Sequence, residues 1–331
     1  MAINLGSTAI ADVKLGTTQV EKIYLGTEQV WGGSPAPTAD YGEVVLYGYD
    51  TSTTPITIDK TTTTTRVIQS ASEFSKLRPV TIDDVSCILD DATPTAAIKE
   101  CKVGSTPTSL PDDFLKEAEN FTTLDLTDAT SLTSLGTRVL NGCTSFNAPL
   151  VIPDTVTSIG VDFMKNCSAF NSTITLSSGV ATIPIRFMNG CTSFNKPLAI
   201  PEGVTAISSD SFTNMSSFNS AFSLPSTLQT IALRSFNGWT AFNQNVTLPQ
   251  SLTSVGTYFF KGLRNMTGTL NIGSLPATIF ATNNYTLSAS NNTGAAYTTG
   301  ITIKGATRAE FLSRFPNRSS SPYRRLLNGG A

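Results

Sequence analysis

Histidine is absent from this 331-residue chain, and charged residues make up only 14% of it against 40% hydrophobic. No apolar run approaches the roughly 18 residues that a membrane-spanning helix needs. Without imidazole there is no base for a Ser-His or Cys-His pair, no HExxH zinc site, and no side chain that titrates near neutrality when unperturbed. The 22 basic and 24 acidic side chains nearly cancel. A phosphate-binding domain normally carries a basic excess, so nucleic acid is not an expected partner. The N-terminal Met1-Ala2-Ile3-Asn4-Leu5-Gly6 has neither a basic nor an apolar region of the secretory type. These features predict a protein made in the cytosol, with no membrane insertion and no cofactor.

What the chain does have is repetition. Residues 5 to 31 repeat every ten: Leu5-Gly6, Leu15-Gly16 and Leu25-Gly26 open the units, Ile10, Val20 and Val30 fall five residues later, and Val13 and Ile23 three beyond those. β-branched residues flank a glycine that permits a tight turn, so each unit predicts a short strand plus a turn in a three-stranded sheet. About 30 residues bury little surface alone, which marks a docking module. The stretch LGTTQVEKIYLGTEQVWGG at 15–33, with Ile23, Tyr24, Leu25, Gly26, Val30 and Trp31, resembles the N-terminal segment of many tailed-phage minor structural proteins, with the pattern LGxxxVxxIYLGxxxVW. The resemblance implies that residues 1–33 anchor the chain to other virion proteins.

Residues 32–39, GGSPAPTA, are rich in Gly, Pro and Ala, and 34–39 predict a linker. From 40 to 100 the pattern predicts a small α+β domain or N-terminal cap. Its strands fall at Glu43–Tyr49, Ile56–Asp59 and Arg66–Ile68, with a helix over Ser72–Leu77. Thr61–Thr65 reads as an edge strand or a loop tip. Asp83, Asp84, Asp90 and Asp91 lack the alternating ligands and turn glycine of a calcium loop, and read as turn and cap carboxylates.

The strongest signal is a 24-residue period. Phe-Asn recurs at Phe146-Asn147, Phe170-Asn171, Phe194-Asn195, Phe218-Asn219 and Phe242-Asn243, and the other apolar positions keep the same phase. Three residues before each Phe stand Cys143, Cys167, Cys191, Met215 and Trp239; six before stand Leu140, Met164, Met188, Phe212 and Phe236. Segments such as PLVIP predict one short strand per coil, VTSIG a second strand or turn, and FMKNC one turn of helix or 3₁₀ helix. The fold class expected is mainly β with short helices, a solenoid of about seven coils over 101–272 whose Phe, Ile, Leu and Met columns form a continuous core. Cys143, Cys167 and Cys191 share a phase with Met and Trp, so they read as core residues rather than disulfide or metal ligands. The Asn column at 147, 171, 195, 219 and 243 predicts a ladder bonded to the backbone of neighbouring coils. Charges inside the array, among them Asp154, Asp162, Glu202, Asp210, Arg186 and Arg234, read as scattered, with no carboxylates paired in register for catalysis.

The pattern IPDTVTSIG…FMKNCSAFN resembles leucine-rich repeats of the BspA type, best known from bacterial surface proteins. That resemblance implies a solenoid used for protein or glycan contact. Residues 273–331 predict a C-terminal cap, with a strand at Ile301–Lys304, a helix over Thr307–Phe315 and a basic tail.

Taken together, the sequence predicts a non-enzymatic bacteriophage virion protein, assembled in the host cytoplasm. Its solenoid would project as a decoration, fibre or host-contacting appendage, and particle symmetry would favour a homo-oligomer. The alternative is a bacterial surface adhesin of the BspA type.

Overall fold

The computed structural model describes residues 39–50, 57–68, 70–75, 77, 80–82, 85–90, 93–263, 266–280, 302–307 and 309, together with strand pieces at 14–15, 18–19, 22–25 and 28–32. The chain divides into two compact units, Met1–Ala39 and Asp40–Ala331.

In the first unit, Lys14–Leu15 pairs antiparallel with Thr18–Gln19, and Lys22–Leu25 with Glu28–Gly32. Gly16-Thr17 and Gly26-Thr27 fall between the paired strands. The described pieces of this unit thus pair as two separate two-stranded ladders, not as one three-stranded sheet, and the turn glycines Gly16 and Gly26 lie outside the described residues. Ile23 lies opposite Trp31, while Leu5 and Gly6 of the first copy lie outside the described residues.

In the second unit, Gly42–Asp50 is flanked by Thr57–Val67 and Thr93–Val103, both antiparallel to it. Thr57–Val67 is one continuous strand where two were expected, and it lies at the sheet edge with Thr61–Thr65 inside it. The helix is Ala71–Ser75, short and held by buried Phe74. Asp83, Asp84 and Asp91 lie outside the described residues. Thr93–Val103 does not stop at residue 100. Its Glu100, Cys101 and Lys102 pair in parallel with Thr123, Leu124 and Asp125, so the last strand of the cap is also the first strand of the array. Cys101 is buried in that junction.

Beyond it each coil carries two short parallel strands. One row runs Ser109–Leu110, Ser134–Leu135, Ser158–Ile159, then Thr182–Ile183, Ala206–Ile207, Thr230–Ile231 and Ser254–Val255. The other contains Leu150–Val151, Ile174–Thr175, Leu198–Ala199, Phe222–Ser223 and Val246–Thr247. Thr269–Gly273 continues the second row, and Thr302–Gly305 pairs with it in parallel. The strand expected at 301–304 is thus Thr302–Gly305, while most of 307–315 lies outside the described residues.

The core is a set of columns. Phe146, Phe170, Phe194, Phe218 and Phe242 are fully buried and stack face to face, with centroids 5.5 to 5.8 Å apart. A second aromatic column changes position midway, from Phe163 and Phe187 to Phe212 and Phe236 one residue later in phase. Ser211 and Ser235 take the vacated places, and their hydroxyls donate to the backbone carbonyls of Pro184, Ser208 and Ala232.

The third side of each coil is not a turn of helix. Asp162, Met164 and Asn166 have φ of 61°, 51° and 61°, and left-handed residues recur in the corresponding segments of the other coils. Alternating left- and right-handed residues turn backbone groups toward the neighbouring coil. Arg186, Met188 and Gly190 donate their N–H groups to Ser209, Ser211 and Thr213 carbonyls at 3.2, 2.8 and 2.9 Å. A helix would spend those donors inside its own segment. Here they join coils, and that is why the helical expectation fails.

Candidate contact surface

Two sides of the coil are uncharged strand rows, and the third carries charge. On the second strand row, alternation puts Leu150, Ile174, Leu198 and Val246 inward and Val151, Thr175, Ala199, Ser223 and Thr247 outward and exposed. Two residues earlier stand Pro149, Thr173, Pro197, Ala221 and Asn245, also exposed. None of these ten side chains is charged or long. The first strand row is similar, with Ser109, Ser158, Thr182 and Ser254 exposed. Its flanking threonines bond along the stack: Thr133, Thr205 and Thr253 hydroxyls donate to carbonyls one coil back at 3.0 to 3.3 Å.

The Asn column lies beside this surface and is occupied internally. Asn147 Oδ1 accepts the backbone N–H of Asn171 at 2.7 Å, and Asn171, Asn195 and Asn219 repeat the bond to the next coil at 2.9, 2.8 and 2.7 Å. Asn243 closes the series on Thr267 N–H at 2.6 Å. Cys143, Cys167 and Cys191 are free and buried, and each thiol donates to a core carbonyl, of Leu115, Leu140 and Met164 respectively. Trp239 does the same to Phe212 at 2.7 Å, so this apolar column also supplies donors. Burial pushes the Cys191 thiol up to about 12, and Cys143 and Cys167 also rise through burial. Among the described residues no group of three or more His, Cys, Asp or Glu is placed to hold a metal ion.

The charges are aligned, contrary to the sequence expectation. On the turn side Asp113, Arg138, Asp162, Arg186, Asp210 and Arg234 occupy successive coils. Arg138 grips Asp113 with two bonds of 2.6 and 2.8 Å, and Arg234 grips Asp210 with 2.8 and 2.9 Å. Arg186 holds Asp162 the same way, its second bond at 3.0 Å. Burial alone would raise the Asp162 carboxyl. Arg186, with Lys165 and Arg138 behind it, outweighs that and holds it below the usual range. A second alternating column matches: Asp154 accepts from Ser178, Glu202 from Ser226 and Gln250 from Ser274, each through backbone N–H and hydroxyl at 2.8 to 3.1 Å. In a third, the left-handed Gly190 and Gly238 lie under Asn166 and Asn214. A Cβ there would meet the carboxamide oxygen at 2.5 and 2.6 Å. The polar repeat is therefore two coils, an acceptor coil followed by a donor coil.

Stacked parallel coils with ladder cores and short strands define a leucine-rich-repeat solenoid. The model of the BspA type leucine rich repeat region matches in six copies over residues 108–236 and 205–301, more than half of the chain. The chain belongs to that family. No curated protein matches it. Among solved structures, a leucine-rich repeat protein from Bacteroides ovatus is 16% identical over 63% of this chain, with a TM-score of 0.47; this chain spans 56% of that one. The pneumococcal vaccine antigen PcpA is 14% identical over 73% of this chain and 70% of its own, with a TM-score of 0.39. A leucine rich cell surface protein from Faecalibacterium prausnitzii is 14% identical over 62% of this chain and 73% of its own, with a TM-score of 0.35.

Proposed function

We propose that this chain is a non-catalytic recognition protein of the adhesin kind, acting at a bacterial surface and laying its uncharged strand rows against a protein or glycan. The observation that carries this is the outward row Val151, Thr175, Ala199, Ser223 and Thr247. It is small, exposed and repeated once per coil on a backbone held in register by parallel pairing. Such a row offers an extended, stiff surface that costs little side-chain entropy on binding, which suits a macromolecular partner. Membership in the BspA-type family supports the same role.

A second reading is favoured by one observation. The ten-residue units of the first 33 residues resemble a phage virion anchor, which would place the chain on a particle whose solenoid meets the host. Immunogold labelling of cells alongside mass spectrometry of purified particles separates the two. Label on the cell envelope supports the adhesin reading, and stoichiometric presence in particles supports the virion reading. Protein confined to the cytosol contradicts both.

A further inference from the structure

The turn side carries an order of charges that the contact role does not use. From Asp113 to Arg234 the signs alternate strictly over six coils, and an alternating series of even length has a special property: read backwards, it is its own complement. We propose that this edge is an interaction surface for a second copy of the chain, docked antiparallel about a two-fold axis between Asp162 and Arg186. That axis sets Asp162 against the partner's Arg186 and Arg138 against the partner's Asp210, unlike charges at every step. A parallel approach in the same register sets like against like. A self-complementary patch is what a closed two-fold dimer requires.

Three further observations fit this edge. The arginines are within reach, with side chains 39%, 39% and 43% exposed at Arg138, Arg186 and Arg234. Each bidentate grip uses two of the five N–H donors of a guanidinium. At the centre of the series Ile185 is 38% exposed, one of three large hydrophobic side chains so exposed among the described residues. Val161 and Leu233, at the same position one coil before and two coils after, are half-buried. An apolar centre flanked by charge is the usual anatomy of a protein interface. Each aspartate is already matched by an arginine of its own chain, so docking buries no uncompensated carboxylate. The strand rows lack charge and cannot supply such orientation.

Sedimentation velocity of the full chain from about 1 to about 100 μM, the range of a modest interface, tests the proposal. The wild type should show a concentration-dependent monomer–dimer equilibrium that weakens with salt. Arg186→Asp places carboxylates face to face across the axis and should weaken dimerisation by about tenfold or more. The exchange Asp162→Arg with Arg186→Asp keeps unlike charges across the axis and within the chain, and should restore the dimer. Ile185→Asp leaves the ladder intact and should also dissociate it; circular dichroism of this variant and of the exchange variant guards against misfolding. A wild type that is monomeric throughout, or a dimer untouched by Ile185→Asp, overturns the proposal.

Discussion

Asn195 Oδ1 accepts the backbone N–H of Asn219 at 2.8 Å, while the N–H of Asn195 itself donates to Asn171 Oδ1 at 2.9 Å. Each asparagine thus receives a coil with one group and holds the previous coil with another. Asn195→Ala should cost about 1 kcal/mol, the net worth of such a bond where water can replace it. Asn195→Asp keeps an acceptor and should cost less. Urea denaturation of both variants reads the difference.

Phe194 sits between Phe170 at 5.6 Å and Phe218 at 5.8 Å with no exposed surface. Phe194→Ala opens a cavity in the middle of the ladder and should cost about 3–5 kcal/mol. Phe194→Leu, which refills much of the space, should fall well below that. A similar cost for both, measured by denaturant midpoint, would argue against a stacked core.

Gly190 has a φ of 82° and lies under the Asn166 carboxamide. Gly190→Ala should destabilise through both backbone strain and contact, by more than about 1 kcal/mol. Adding Asn166→Ala removes the contact and leaves the strain, so the double variant should be more stable than the sum of the singles predicts. Strict additivity would mean that the two coils do not meet here.

Asp154, Asp162 and Glu202 all have pKa values lowered in the folded chain. Ser178 N–H and hydroxyl act on the first, Arg186 overcomes burial at the second, and Ser226 acts on the third. Their folded pKa values lie below the unfolded ones, about 3.9 for Asp and 4.3 for Glu. The stabilisation is therefore complete above about pH 5 and is lost as pH falls through the folded values. The melting temperature should drop from pH 5 to pH 3, and Asp162→Asn should flatten that drop while lowering the plateau.

The repeat was legible because burial writes itself in apolar phase: Phe, Ile and Leu at fixed offsets leave few alternatives to a ladder core. The Asn column could be read for the same reason, since one residue type held one position. The charge ladder was hidden by its period. Asp162 and Asp210 are two coils apart with Arg186 between them, so neither sign repeats every 24 residues. Alternation between coils, with a period of two coils, is the signal that carries it, along with the Ser178 and Gly190 columns. The turn side is not legible in the sequence because residues such as Met164 and Arg186 have no intrinsic preference for left-handed backbone. Bonds to neighbouring coils hold them there, and those bonds exist only in the stack.

On the proposed function, the strand rows are the recognition surface. Surface plasmon resonance of the full chain over immobilised bacterial surface polysaccharides and extracellular matrix proteins tests it most directly, comparing wild type with Thr175→Arg and Ser223→Arg. Both residues point outward from paired strands, so these variants should keep the wild-type circular dichroism and melting temperature. The wild type should bind saturably, and either arginine should weaken binding about tenfold or more, as expected for bulk and charge placed within a flat interface. Binding that survives both arginines unchanged would contradict it.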